Sequence, residues 1–378
     1  MDDATSDTST RAALAHLTCP GELFHRGDNG WVTCTACGHR CRIAPGRDGI
    51  CKVRFNDNGV LMVPHGYVAG LQIDPIEKKP FFHVLPGAGA LSFGMLGCDY
   101  HCAYCQNWFT SQTLRDPDAG SPRRDTTADE IVGIALENRI PIITSTYNEP
   151  LITSEWAVEV FRLARRHGIR CSYVSNGNAT PEVLEYLAPF VSCYKVDLKS
   201  FRQKNYQQLG GKLETVLDTI RRLVQIKIWV EVVTLVVPGF NDTDEEIGEI
   251  AAFLASVSKD IPWHVTAFHE DYTMTDRPST AAASLIRAAE IGRNAGLHFV
   301  YAGNLPGRTA RLEDTRCPGC NATLIERTGY RIRANRMQNG TCPDCHRAIP
   351  TISSAVVSRR GAPASGSRRV CEVNQFWQ

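Results

Sequence analysis

No stretch of about 18 consecutive apolar residues occurs in this sequence, so no segment has the length and hydropathy to cross a bilayer as a helix. The start, MDDATSDTSTRAALAHLTC, lacks the basic segment and continuous apolar core of a secretory leader, and export is not expected. Net charge is also nearly missing. The 41 Lys and Arg residues stand against 40 Asp and Glu, so no global field draws the chain to nucleic acid or anionic lipid. No internal repeat stands out. Hydrophobic residues make up 43% of the 378, enough for one large core with small attachments.

Cysteine, by contrast, is abundant. Of the 15, eleven fall into three tight clusters: Cys34, Cys37, Cys41 and Cys51; Cys98, Cys102 and Cys105; and Cys317, Cys320, Cys342 and Cys345. A short secreted chain would use so many cysteines as disulfides, whereas clusters at ligand spacing point to metal in a reducing compartment, and the protein is read as cytoplasmic. Cys19, Cys171, Cys193 and Cys371 stand alone, and Cys171 and Cys193 sit in apolar runs as inert core residues.

The chain divides into a polar lead (1–18) expected to be disordered, a Cys-rich metal-binding module (19–86), a core (87–312), a module with two CxxC knuckles (313–354) and a flexible Ser/Arg/Gly/Pro tail (355–378). In the core, apolar runs at Ala90–Leu96, Pro141–Ser145, Arg170–Val174, Ser192–Val196, Ile228–Val236, Trp263–Ala267 and His298–Tyr301 read as strands. Helix-period segments at Thr127–Asn138, Ser154–His167, Glu214–Gln225, Asp244–Ser256 and Thr280–Ala295 lie between most of them. That alternation implies an α/β barrel or open sheet of parallel strands, with its site at their C-terminal ends.

Each apolar run gives way to a polar segment: the cysteine triad, Thr146-Tyr147-Asn148-Glu149-Pro150, Ser175-Asn176-Gly177, Asp197-Leu198-Lys199, Pro238-Gly239, Phe268-His269 and Gly303-Asn304. Each alone is a good turn former; together they predict one functional rim. The triad, spaced C-x3-C-x2-C, offers one thiolate fewer than the four that usually close a 4Fe-4S centre, which leaves one iron open to chelate a small molecule. The other outer sets are separate metal sites. Two CxxC pairs at 317–320 and 342–345 make a tetrahedral thiolate knuckle, with zinc expected and a single redox iron as the alternative. Cys34, Cys37, Cys41 and Cys51, with His39 as a spare ligand, are expected to hold structural zinc, with an auxiliary iron–sulfur cluster as the alternative. Asp74-Pro75-Ile76-Glu77-Lys78-Lys79-Pro80 reads as either an exposed turn or a cover on the open side of the core.

The triad, with Tyr104 directly before its third cysteine, resembles the radical S-adenosylmethionine (SAM) superfamily. The core is similar to the pyruvate formate-lyase activating enzyme branch, and the order of blocks from about residue 30 to 352 resembles the radical SAM protein of the AmmeMemoRadiSam system. The chain departs from that pattern at Glu270-Asp271, where His-Pro-Asp would follow. The resemblance implies a partial (β/α)6-type barrel with a zinc-ribbon or rubredoxin-like knuckle. It implies an enzyme that cleaves SAM reductively at a 4Fe-4S cluster and abstracts hydrogen from an unidentified small-molecule, peptide or protein substrate, with flavodoxin or ferredoxin as electron donor. Glu149 would take the SAM ammonium, Lys199 with Asp197 the carboxylate, Ser175 and Asn176 the ribose and methionyl part, and His269 the ribose, beside Tyr104. Two other readings remain: an RNA-modifying enzyme gripping through the knuckles and Arg359, Arg360, Arg368 and Arg369, and a metal-binding scaffold without turnover. Four scattered arginines in a low-complexity tail are ordinary in a solvated end, so neither nucleic acid nor membrane is an expected partner.

Overall fold

The computed structural model describes residues 14–352. Most of the lead, the tail with its four arginines, and Cys371 lie outside the described residues. The centre is one eight-stranded sheet: β1 (Gly70–Pro75), β2 (Gly89–Gly94), β3 (Ile142–Ser145), β4 (Arg170–Ser175), β5 (Cys193–Asp197), β6 (Trp229–Val236), β7 (Trp263–Ala267) and β8 (Val300–Gly303). The strands lie side by side in sequence order. β2 to β8 are all parallel, and β1 pairs antiparallel with β2 at the edge. All seven strands expected from the apolar runs are present, one parallel strand more than a (β/α)6 count. The eighth, β1, falls within the 19–86 segment expected to form a separate module. Its ladder from Gly70↔Gly94 to Pro75↔Gly89 makes it part of the sheet instead.

The helices form where their ends are chemically marked. Thr127 and Glu130 make a reciprocal capping box on Ala128–Glu137. Thr180 accepts from Val183 N and precedes Pro181 in Pro181–Leu187, and Thr243 caps Asp244–Val257 ahead of three acidic residues that favour the positive end of the helix. One face of the strands packs its apolar residues, among them Phe93, Ile143, Cys171, Tyr173 and Val232, into the main core. The opposite face carries polar side chains in register. Ser92, Thr144 and Ser172 share one level, with Thr144 Oγ1 and Ser172 Oγ 2.7 Å apart, and Lys195 lies beside Glu231 on the next. Cys171 and Cys193 are both fully buried among apolar neighbours.

Two small modules dock on this frame. The N-terminal one is two three-stranded antiparallel sheets. It is anchored by Arg54, only 1% exposed, whose guanidinium grips Glu155 at 2.7 and 2.8 Å and donates to Ile152 O at 3.1 Å. Glu155 also accepts from the backbone N–H groups of Glu22 and Leu23. The C-terminal module is a three-stranded sheet, Thr315–Arg316, Thr323–Thr328 and Arg331–Asn335. Arg327 pins it to the core by donating to Phe82 O at 2.8 Å with its guanidinium over the Phe82 ring at 4.4 Å. Phe82 and His83 in turn donate their backbone N–H groups to Glu231 on β6 at 2.9 Å.

Removing one partner of a buried, hydrogen-bonded ion pair leaves the other charge desolvated. Glu155→Ala should therefore lower stability by about 3–5 kcal/mol in denaturant unfolding. A loss below about 1 kcal/mol, of the order of an exposed pair, would show that Arg54 does not anchor the module.

Candidate active site

The loop after β2 carries the triad, and its course is fixed by backbone pairing. Gly97 N donates to Thr110 O at 2.9 Å, His101 N to Leu209 O at 3.0 Å, and Met95 N to the side chain of Asn148 at 3.0 Å. Tyr100 packs so closely on Gly211 that a Cβ there would overlap its ring, which explains the glycine pair after the helix Gln203–Leu209. Cys98 Sγ accepts from Tyr100 N at 3.4 Å, and Cys105 Sγ lies 3.2 Å from Ser111 Oγ. Burial pushes all three triad thiols up, Cys102 to about 12.

The strand ends meet this loop through two carboxylates. Asp99, fully buried, accepts from the side-chain amides of Asn176 and Asn178, each at 2.8 Å. Glu149, 3% exposed, accepts Ser175 Oγ at 2.7 Å and Leu151 N at 3.1 Å on Oε1, and Asn176 N at 2.7 Å on Oε2. A carboxylate oxygen has two acceptor positions, so Oε2 retains one. Burial, followed by the charge of Asp99, pushes Glu149 up to about 8. From β5, Asp197 bridges Lys195 and Lys199, the latter at 3.3 Å; burial opposes its charge, but the two ammonium groups hold it below the usual carboxylate range. Burial opposes the charge of Lys199, but Asp197, followed by Cys102 of the triad, holds its ammonium well above the usual lysine range.

Six of the seven expected rim residues thus gather around the triad directly or through one neighbour: Glu149, Ser175, Asn176, Asp197, Lys199 and Tyr104, the last packed edge-on to Phe240 at 5.9 Å. His269 is the outlying one. It is exposed and reaches the site through Gln106, 3.0 Å from its Nε2. The segment after it folds back over the triad loop: Thr273 N and Met274 N donate to Ala103 O, and Tyr272 stacks on Trp108 at 5.1 Å while donating to Asp116 at 2.6 Å. Sequence reasoning missed Asp99, Asn178 and Lys195. The first two carried a signal, an acid inside the cysteine motif and an amide two residues after Asn176.

Asp74–Pro80 is not an exposed turn. Ile76, Glu77 and Lys79 are buried, and Lys79 Nζ lies 2.8 Å from Asp74 and 3.2 Å from the hydroxyl of Tyr147, two residues before Glu149. Tyr147 holds a left-handed backbone, φ 72°, an unusual conformation for a bulky residue at the rim.

The outer cysteine sets differ in compactness. Cys317, Cys320, Cys342 and Cys345 place all their sulfurs within 4.8 Å of one another, with Cys317–Cys345 at 3.5 Å and Cys320–Cys342 at 3.6 Å. A tetrahedron with metal–sulfur bonds of about 2.3 Å has edges of about 3.8 Å, so this set fits one mononuclear ion. Neither the triad nor the N-terminal four makes such a compact set among the described residues. Wider separation suits a cluster, in which each thiolate binds a different iron. The triad fits a polynuclear centre by its donor set.

Residues 94–254, from the end of β2 through the helix after β6, match the sequence model of the radical SAM superfamily. The chain belongs to the radical SAM superfamily. It is 37% identical over 334 residues to an uncharacterized protein of Methanocaldococcus jannaschii, covering 87% of this chain and 98% of that one. It is 25% identical over 190 residues to the pyruvate formate-lyase-activating enzyme of Staphylococcus epidermidis, covering 46% of this chain and 72% of that one. Among solved structures, a radical SAM methyltransferase from Sphaerobacter thermophilus aligns over 80% of this chain and 83% of that one at 16% identity, with a TM-score of 0.45. The protein is a radical SAM enzyme, and its superfamily implies a 4Fe-4S cluster, SAM and a reductant. Among the described residues no helix is long and apolar enough to cross a membrane.

Glu149 sets a pH test. With its native carboxyl raised from 4.5 to about 8, the native state holds a proton that the unfolded chain has released between those values. Stability of the metal-free protein should fall as pH rises through that window, since the unfolded state binds fewer protons there. Glu149→Gln should flatten that slope in thermal melts; an identical slope in the variant would contradict the assignment.

Proposed function

We propose that this enzyme cleaves SAM reductively and uses the resulting radical to abstract hydrogen from a peptide or protein segment, in the manner of an activating enzyme of the AmmeMemoRadiSam type. The observation that carries the reading is the union of the triad loop with Asp99, Glu149 and Lys199 at the C-terminal ends of parallel strands. Similarity to the activating enzyme supports the substrate class. Cys98, Cys102 and Cys105 would hold the cluster, and the bound cluster would supply the electron for reductive cleavage of the SAM sulfonium to methionine and a 5'-deoxyadenosyl radical.

The chain's own residues do the positioning. Glu149, fixed by three donors, offers the remaining lone pair of Oε2 to the SAM ammonium, a charge-assisted contact. Lys199, oriented by Asp197, takes the SAM carboxylate. Ser175 and Asn176 face the ribose and methionyl part, His269 closes on the ribose, and Tyr104 walls the site. Lys79 and Tyr147 guard its edge-strand side, where water must be kept from a radical. Flavodoxin or ferredoxin donates the electron in the cytoplasm, and the Cys-rich N-terminal module and the module 313–354 flank the catalytic core. The compact C-terminal set holds zinc.

Dithionite-reduced, reconstituted protein should convert SAM to 5'-deoxyadenosine, and none formed would refute the reaction. Glu149→Gln and Lys199→Ala should each weaken SAM binding by about 1.5–3 kcal/mol, the usual loss for one charged hydrogen bond, at unchanged iron content. Normal affinity in both would remove their assigned roles. Cys317→Ala should lower thermal stability and zinc content while 5'-deoxyadenosine still forms, because a four-thiolate zinc site contributes folding energy and no electrons. Turnover lost at normal stability would instead make the C-terminal set an electron carrier.

A further inference from the structure

Cys34, Cys37, Cys41 and Cys51 are left unused by the reaction above. The first, second and fourth are buried and Cys41 is half-buried. Backbone geometry brings them together. Cys34 N donates to Cys41 O at 2.9 Å across a hairpin, and Ile50 N, the neighbour of Cys51, donates to Cys41 Sγ at 3.5 Å. Backbone amides also point at the other sulfurs, from His39 to Cys37 and from Val53 and Arg54 to Cys51.

We propose that these four cysteines ligate a second iron–sulfur cluster rather than the expected zinc ion, placed against the loop that carries the triad. Their spacing supplies the first argument. The four C-terminal thiols are drawn to mononuclear distance, and no three of the N-terminal thiols are gathered within 4.8 Å among the described residues. Thiolates on separate irons of one cluster need that extra room.

Arg54 supplies the second. Its two terminal nitrogens are taken by Glu155 and Ile152, but Nε is buried with no hydrogen-bond partner, beside the thiols of Cys34 and Cys51 that act on its charge. A buried donor left unpaired is costly. Inorganic sulfides add acceptors beyond the four thiolates that a zinc site would also present, and hydrogen bonds to sulfur are the usual tuning of such clusters.

Position supplies the third. Gly97, just before Cys98, has φ +92°, and a Cβ there would lie 3.2 Å from Cys51 O and 2.8 Å from Val53 Cγ1. His39, between Cys37 and Cys41, holds its Nε2 4.0 Å from Asp99 Oδ2, and that nitrogen also has no hydrogen-bond partner. One side-chain pair thus separates the two cysteine sets. The proposal goes beyond the SAM reaction and does not depend on it.

The test uses the full chain with the triad removed, Cys98→Ala with Cys102→Ala and Cys105→Ala, reconstituted anaerobically with iron and sulfide. Metal, acid-labile sulfide and the EPR spectrum after dithionite are measured. The expected result is about four iron and four sulfide per chain and a reduced-cluster signal that SAM does not alter, as a second 4Fe-4S centre requires. Adding Cys37→Ser should abolish sulfide and signal. Because these variants risk misfolding, Cys37→Ser alone, in protein that still melts cooperatively, should lose about half the sulfide of the parent. Sulfide-free triad variant with zinc at both outer sets would overturn the proposal, as would parental sulfide content in folded Cys37→Ser.

Discussion

Two buried carboxylates, Asp99 and Glu149, of which burial and then the charge of Asp99 make the second costly to ionise, are the constraint around which this site is built. A dry interior holds such a pair only if donors are aimed at it, and five are: Leu151 N, Ser175 Oγ, Asn176 N and the side-chain amides of Asn176 and Asn178. Those donors come from the loops after β3 and β4, and Asp99 comes from the loop after β2. Satisfying the pair therefore locks three strand ends to one another and holds the cysteine loop in register. It also leaves the charge of Asp99 beside Cys98, one of three thiols that ionise on binding iron. A ligand carrying ammonium and sulfonium groups offsets that charge, which is the electrostatic sense in which the site suits SAM.

The rest of the molecule keeps this centre closed. Arg54 and Glu155 bind the N-terminal module to the helix after β3, on the side where Gly97 touches Cys51. Tyr272, stacked on Trp108, draws the loop after β7 over the cysteines. At the far end of the sheet face, Glu231 accepts from Phe82 and His83 and lies 2.8 Å from His264, while Arg327 ties the C-terminal ribbon to the same segment. Burial pushes His83 down to about 4, so this plug holds a neutral imidazole between Pro350 O and Tyr301 OH, at 2.7 Å from each.

The parallel strands were legible because β2 to β8 are short apolar runs, each cut off by a polar turn, and that punctuation marks the site as well as the fold. The triad and Glu149 were readable from spacing and from position after a strand. β1 was not, because Gly70-Leu71-Gln72-Ile73-Asp74-Pro75 sits at an edge with its faces only half covered, and its partner β2 decides its conformation. Asp99 and Lys195 were hidden for another reason. Asp99 acts through Asn176 and Asn178, which belong to a different loop, and Lys195 acts through Asp197 two residues along the same strand, a contact that a buried apolar run does not advertise. The compactness of the C-terminal cysteine set was beyond sequence too, since both outer sets offer four sulfurs and only the fold brings those of Cys317, Cys320, Cys342 and Cys345 within 4.8 Å of one another.

The central claim is that the triad holds a cluster with an iron open to SAM. It is tested most directly by EPR of the dithionite-reduced, reconstituted wild-type protein titrated with SAM. The spectral component that depends on Cys98, Cys102 and Cys105 should change line shape and g-values as SAM saturates, because the ligand coordinates the open iron. A spectrum in which no component responds to saturating SAM would contradict the account.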